Sequence, residues 1–342
     1  MRREWVVESA GDASRLERPL CVAIVVPCFN ESEILGLTIP SLLGLLDRLI
    51  QEFNCSSQSH VVFVDDGSKD DTWQLIQQAA LADPQRIRGV RLACNVGHQG
   101  ALLCGLDDVT GRCDVAISID ADLQDDLEAI PKMVLKYREG AELVLGVREA
   151  RDVDTWFKRN TALYFYRLMR WIGVDMVENH ADFRLMSDRA LHNLQQFGEY
   201  NLFLRALPPF LHRNVATVSY ARSERVAGVT KYTLGKMLAL AWSGITSFSV
   251  APLRLISAIG ALVFIASLGL VTFAVLGVIN HRALPGWASV VIPLYLLGGL
   301  LMLSIGVVGE YVGKLFLEVK RRPRYLVDEQ IGVHATSKDE HA

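Results

Sequence analysis

The 342-residue sequence has almost no surplus of either charge. It holds 35 Lys and Arg against 38 Asp and Glu, a net charge of −3. Such a balance gives no broad basic face, so nucleic acid is not expected as a partner. Six cysteines fall at 21, 28, 55, 94, 104 and 113, with no CxxC pair among them. That excludes a zinc ribbon and a disulfide framework and fits a reducing compartment. No GxGxxG and no GxxxxGKS/T string is present, so there is neither a dinucleotide fingerprint nor a P-loop. The first residues, MRREWVVESAGDASRLERP, lack the apolar core of a signal peptide. Repeats and low-complexity tracts are missing too. Hydrophobicity is in excess: 51% of residues are hydrophobic, 21% are charged, and the mean hydropathy is +0.24. Disorder and a collagen-like fibre are excluded. The charged fraction is too high for a fully embedded transporter.

The excess is concentrated near the C-terminus. Leu255–Ile279 (LISAIGALVFIASLGLVTFAVLGVI) has no charged residue; as a helix it would be roughly 37 Å long, enough to span a hydrocarbon core of about 30 Å. After Asn280-His281-Arg282 and Leu284-Pro285-Gly286-Trp287, a second uncharged run covers Ala288–Gly309. Transmembrane helices over 255–279 and 286–309, joined as a hairpin, are the expectation. A pair of buried core helices is the alternative. Lys314, Lys320, Arg321, Arg322 and Arg324 follow the second run, against Arg282 alone in the connection. This bias places the tail, 310–342, and the N-terminal region in the cytoplasm. Thr155–Ile172 mixes Trp156, Phe157, Tyr164, Phe165 and Trp171 with Lys158, Arg159, Arg167 and Arg170. That composition suits a helix in the bilayer interface, and a segment over 231–254 is a second candidate.

The first 150 residues alternate between two periods. Short β-branched runs at Cys21–Pro27, Val61–Val64, Ile87–Leu92, Asp114–Ile119 and Leu143–Val147 predict buried strands. Helical spacing covers Glu31–Glu52, Asp71–Leu81, Gly97–Asp107 and Glu128–Glu139. Alternating strands and helices predict an α/β fold with a largely parallel sheet, and such sheets bind ligands beyond the carboxyl ends of their strands. Each acidic or glycine cluster falls at such an end.

Asp120-Ala121-Asp122 follows one strand, with Gln124 two residues on. Alternate carboxylates there can share a hard cation that also binds a diphosphate, or form a solvated turn. Asp65-Asp66-Gly67-Ser68 closes another strand, where a carboxylate can accept from a base N–H or a ribose hydroxyl. A DG turn with a helix cap uses the same residues. Val26-Pro27-Cys28-Phe29-Asn30-Glu31 offers a flat Pro/Phe edge with a carboxylate, better suited to a nucleobase than to a pyrophosphate, or to a plain loop.

In this order and spacing the clusters resemble family 2 glycosyltransferases, and later motifs resemble the polyprenyl-phosphate branch of that family. The residues carrying the resemblance are VVPCFNE (Val25–Glu31), DDGSKDDT (Asp65–Thr72), NVGHQGA (Asn95–Ala101) and DADLQDDLE (Asp120–Glu128). They continue with Gly146–Arg148, Phe157–Arg159, Ala181–Ser187, Arg225–Tyr232 and Glu310–Tyr325. The resemblance implies a GT-A, Rossmann-like catalytic domain over 20–230, after an extension at 1–19. It implies that Pro27, Phe29, Glu31, Asp66, Ser68 and Gly97 hold the nucleotide. Asp120, Ala121, Asp122 and Gln124 would meet the donor diphosphate, with Asp120, Asp122 and Gln124 on Mg²⁺ or Mn²⁺. Arg148 and Arg159 would bind an acceptor phosphate, Arg225 and Lys231 would sit near the phosphates, and Asp182 and Arg184 would line the sugar side. Arg184 is open to a plainer reading, as a structural ion-pair partner of Asp182. Leu127 stands where relatives often have Pro, Thr230 where Ser is usual, and Leu163 where some have a Ser near the acceptor phosphate.

The implied activity is inverting transfer of one hexose from a nucleotide sugar, UDP-glucose first, to undecaprenyl or another polyprenyl phosphate at the cytoplasmic membrane face. GDP-mannose and amino-sugar donors are alternatives, and a homo-oligomer, a tetramer being one option, is the implied assembly. A processive polysaccharide synthase and a non-enzymatic nucleotide-sugar-binding subunit are more distant rivals. Acceptor chemistry fits independently: a phosphate monoester is already anionic near neutral pH, so positioning by Arg matters more than a strong base.

Overall fold

The computed structural model describes residues 18–148, 180–199, 204, 211–212, 214–221, 251–279 and 287–332. Strand β1 (Val22–Cys28) is buried along its whole length, as a strand covered on both faces must be. It alternates strictly: Val22, Ile24, Val26 and Cys28 join one hydrophobic cluster, Ala23 and Val25 the other. Helix α1 (Ser32–Glu52), β2 (His60–Asp65), α2 (Thr72–Ala82), β3 (Ile87–Leu92), α3 (His98–Val109), β4 (Val115–Ser118), α4 (Ala129–Arg138) and β5 (Leu143–Arg148) follow. Each lies within two residues of its expected bounds.

Then come β6 (His180–Ser187), α5 (Asp188–Gln195), β7 (Val215–Tyr220) and, far along the chain, β8 (Val327–Ile331). The sheet order is β7-β5-β6-β4-β1-β2-β3-β8. Strands β6 and β8 run antiparallel to their neighbours, and the remaining pairs are parallel. One face packs α1, α2 and α4 through Leu42, Leu46, Ile76, Ile130 and Met133. The other packs α3 and α5 through Leu102, Leu106, Leu191 and Leu194. Gly105 sets the closeness of α3: a Cβ there would stand 2.3 Å from Val25 Cγ1 and 2.9 Å from Val64 Cγ2.

All six cysteines are free thiols. Cys21 and Cys113 lie 3.0 Å apart at the amino-terminal edge of the sheet.

Two long helices, α6 (Ala251–Ile279) and α7 (Trp287–Val319), form a second compact unit, and the chain from Pro323 belongs to the unit of the sheet. Among the described residues one stretch, Leu300–Val319, is long and apolar enough to cross a bilayer, with mean hydropathy 1.7. The expected basic tail is only partly a tail. Helix α7 runs ten residues past Gly309, and β8 pairs antiparallel with β3 from Gly89↔Ile331 to Leu92↔Val327. Trp73 Nε1 and Gln77 Nε2 donate to the Glu329 carboxylate at 3.1 and 2.8 Å. The interfacial segments expected over 155–172 and 231–254 lie outside the described residues, except for the start of α6.

Candidate active site

The carboxyl ends of β1, β2, β3 and β4 open onto one cleft of about 390 Å³. Its first wall grows from β1. The strand's pairing ends at Cys28, opposite Asp65 of β2, and Phe29 is left 42% exposed, unusual for a large aromatic ring. Asn30 turns the chain in the left-handed region, φ 54°. It is held there because its N–H donates to Ser68 Oγ (2.9 Å) while its Oδ1 accepts from the Lys69 N–H (2.9 Å). Glu31 is fixed through its N–H, which donates to Thr72 Oγ1 at 2.9 Å. Ser68 thus clasps the β1 and β2 loops together and does not line the cleft.

The second wall comes from β2. Asp66 is 2% exposed and accepts the Val96 and Gly97 N–H groups at 2.7 and 3.0 Å. Burial pushes its carboxyl above the usual range even against those two donors. Asp66 therefore organises the loop that starts α3 and also faces the cleft. Gly67 takes φ 66°, and a Cβ on it would meet the Asn95 nitrogen at 2.9 Å. No larger residue fits that turn.

The floor is Asp120-Ala121-Asp122. The Ala121 carbonyl accepts from Thr38 Oγ1 at 2.8 Å. Leu123 then adopts φ 50°, a left-handed conformation costly for a non-glycine residue. The turn brings the Gln124 N–H onto Asp122 Oδ1 at 3.2 Å, while the rest of Gln124 is 5% exposed, behind the cleft. Strand pairing supplies the remaining group. β4 and β6 run antiparallel with Ser118 opposite Arg184; continuing that register two residues carries Asp120 opposite Asp182. His98, the first residue of α3, bridges them. Its Nε2 is 3.6 Å from Asp120 Oδ1 and 3.7 Å from Asp182 Oδ2. Arg184, 1% exposed, holds Asp182 Oδ1 at 2.7 Å and donates to the Leu204 carbonyl at 2.9 Å.

Desolvation and the neighbouring Asp125, Asp122 and Asp182 carboxylates raise the Asp120 carboxyl, with His98 opposing. A cluster of carboxylates that resist shared ionisation is a site that gains from a cation. Oxygen donors suit Mg²⁺ or Mn²⁺. Among the described residues no three His, Cys, Asp or Glu side chains form a complete ligand set.

Of the residues singled out from the sequence, Pro27, Phe29, Glu31, Asp66, Gly97, Asp120, Ala121 and Asp122 line this one cleft. Asp182 stands beside it. Ser68 and Gln124 support it from behind. Arg148, at the end of β5, is tied to Asp125 and Tyr220. Arg159, Arg225 and Lys231 lie outside the described residues. Sequence reasoning passed over His98, Asn95, Asp125 and Tyr220. His98 and Asn95 sit in the NVGHQGA string, whose position past β3 was the available signal. Tyr220 has none, because only strand register brings it near.

A mostly parallel sheet with a nucleobase-sized apolar edge, a loop-organising Asp and a paired carboxylate floor defines a nucleotide-sugar transferase of the GT-A type. The chain belongs to glycosyltransferase family 2: the model of that family, described as glycosyl transferase family 2, matches residues 23–195. The uncharacterized glycosyltransferase YkoT of Bacillus subtilis is 50% identical over 311 residues, covering 90% of this chain and 91% of that protein. The bactoprenol glucosyl transferase of Shigella phage SfX is 38% identical over 312 residues, covering 90% and 98%. A prophage bactoprenol glucosyl transferase homolog of Escherichia coli is 38% identical over 308 residues, covering 90% and 98%.

Proposed function

We propose that this glycosyltransferase moves a single glucosyl residue from UDP-glucose to a polyprenyl phosphate, with inversion, at the cytoplasmic face of a membrane. The observation carrying this reading is the joining of Phe29, Asp66, Asp120 and Asp122 in one cleft, in a chain that aligns along most of its length with bactoprenol glucosyl transferases.

The uracil would lie along Pro27 and Phe29, with Glu31 and Asp66 as acceptors. Asp120 and Asp122 would hold Mg²⁺ or Mn²⁺ on the diphosphate, Gln124 contributing from behind. That ion supplies charge neutralisation to the departing diphosphate. An acceptor phosphate oxygen attacks the anomeric carbon from the face opposite the leaving group; the anomeric C–O bond breaks and UDP departs. The attacking oxygen carries no proton, so the protein's task is to hold two anions in line. Arg148 takes the acceptor phosphate in this reading, joined by Arg159, Arg225 and Lys231. Asp182, set by Arg184, faces the sugar.

The lipid acceptor requires a catalyst at the bilayer surface. Helices of 29 and 33 residues would be about 43 and 50 Å long, more than the hydrocarbon thickness of about 30 Å. A chain that leaves the sheet after β7 and rejoins it at β8 crosses a bilayer an even number of times. Two crossings, by α6 and α7, follow as the simplest arrangement, with the catalytic unit and the tail on the Lys/Arg-rich, cytoplasmic side.

The test is purified full-length protein in detergent with radiolabelled UDP-glucose, undecaprenyl phosphate and Mg²⁺ or Mn²⁺. One mild-acid-labile glucosyl lipid is expected, and Asp122→Asn should reduce it at least about 100-fold. Polymer resistant to mild acid would favour a processive synthase. No lipid-linked label from UDP-glucose, GDP-mannose or an amino-sugar nucleotide would refute the reading.

A further inference from the structure

The end of β5 carries a polar cluster that the cleft does not use. Asp125 is 3% exposed, and its Oδ1 accepts from the Tyr220 hydroxyl at 2.6 Å and from Arg148 Nη2 at 3.2 Å. Arg148 Nε donates to the same Tyr220 oxygen at 3.1 Å. The three side chains close a ring of hydrogen bonds. It leaves Arg148 Nη1 with no partner among the described residues, and Arg148 is the most exposed of the three.

The ring is built from distant parts of the chain. Asp125 stands three residues beyond Asp122 on the loop after β4. Tyr220 ends β7, paired opposite Arg148 in the parallel β5–β7 ladder. The tyrosine ring packs edge-on against Phe183 of β6, with centroids 5.2 Å apart. Gly146 makes room for it: a Cβ there would stand 2.8 Å from Phe183 Cδ1 and 3.0 Å from Tyr220 Cε1. Burial, then the Asp125 contact, pushes the Tyr220 hydroxyl well above its usual range, so it remains a protonated donor. The ends of β5 and β7 and the loop after β4 therefore converge on one guanidinium.

An unrestrained Arg side chain gives up rotamer freedom when it is fixed on a ligand. A ring that fixes two of its nitrogens removes that freedom before the ligand arrives. We propose that Asp125 and Tyr220 are positioning residues, holding Arg148 so that its remaining nitrogen meets the acceptor phosphate. This rests on the reading in which Arg148 binds that phosphate. Because Asp125 shares its loop with Asp120 and Asp122, the ring also ties the acceptor arginine to the donor floor.

Tyr220→Phe is the decisive variant, because it keeps the ring against Gly146 and Phe183 and removes one oxygen. Initial rates of the full-length enzyme are measured with undecaprenyl phosphate and UDP-glucose varied separately, and UDP affinity is measured by calorimetry. The KM for undecaprenyl phosphate should rise about tenfold, the loss of one hydrogen bond to a charged group. The KM for UDP-glucose and the UDP affinity should stay at wild-type values. Asp125→Asn should act in the same direction. Adding Tyr220→Phe to Arg148→Ala should change nothing further, since a positioning residue has no effect once its client is gone. An unchanged acceptor KM in Tyr220→Phe, with normal wild-type transfer, overturns this inference alone. Equal increases in donor and acceptor KM, or full additivity with Arg148→Ala, overturn it as well. Absence of lipid transfer by the wild type, with UDP-glucose still bound, overturns the functional reading and this inference together.

Discussion

Arg184→Met tests the most deeply buried part of the site. Arg184 is 1% exposed in the middle of β6; it neutralises Asp182, 8% exposed, and satisfies the Leu204 carbonyl. Methionine fills much of the same volume, so packing loss is minor and the electrostatic loss dominates. The variant takes the guanidinium from the Asp182 carboxylate and leaves His98 Nε2 at 3.7 Å, with Asp120 opposite it across the β4–β6 ladder. Removing one partner of a buried pair costs about 3–5 kcal/mol. At about 2–4 °C per kcal/mol for a domain of this size, unfolding should shift down by about 6–20 °C at pH 7. Without the buried guanidinium this carboxylate takes up a proton more readily in the folded variant than in the unfolded chain. Stability linked to such a group is present at acid pH and lost as pH rises. The deficit relative to wild type should therefore shrink between pH 7 and pH 5. Thermal unfolding of full-length protein in detergent at the two pH values measures both effects. The double variant Arg184→Met/Asp182→Leu removes both charges and should recover most of the loss. A shift under about 2 °C at pH 7, less than 1 kcal/mol on the same scale, or an equal shift at both pH values, would refute the argument that this pair matters as a buried charge couple.

Gly105→Val should destabilise by about 1–3 kcal/mol or more, because even a Cβ at this position overlaps Val25 and Val64; an unchanged melting temperature would mean that α3 can retreat from the sheet. Truncation after Tyr325 should lower the melting temperature and promote self-association, since it strips β8 from β3 and leaves Trp73 and Gln77 without Glu329; size-exclusion chromatography reads the second effect. Asp65→Asn should stabilise the protein at pH 8 relative to pH 4. Asp65 is fully buried, burial raises its carboxyl, and its nearest cation, Arg91 Nε, is 3.9 Å away. A raised carboxyl gives up its stabilising contribution as pH rises through its folded value. Equal stability change at both pH values would show that folding does not raise the Asp65 carboxyl.

What was legible in the sequence followed from burial. Strands β1 to β5 are covered on both faces, so they read as short apolar runs, and the loops after β1, β2, β3 and β4 carry Asn30, Asp66, Asn95 and Asp120. The site residues at those ends could therefore be named without coordinates. Strand β6 hid because HADFRLMS carries Asp182 and Arg184 mid-strand, and their mutual neutralisation is what makes burial tolerable. Strand β8 hid for the opposite reason: VDEQI is almost wholly exposed and acidic, and the β3 edge makes it a strand. The proposed acceptor side was half legible. Arg148 was visible as a cation past a strand. Its partners were not, because Asp125 belongs to β4's loop and Tyr220 to β7, and only the insertion of antiparallel β6 beside β4 and β5 sets their relative positions. The same insertion places Asp182 across from Asp120. On the proposed function, one strand running the wrong way thus decides both the sugar side of the cleft and the setting of the acceptor arginine. Substitutions that shift β6 register by two residues should damage both functions at once, which changes at Phe29 or Glu31 would not.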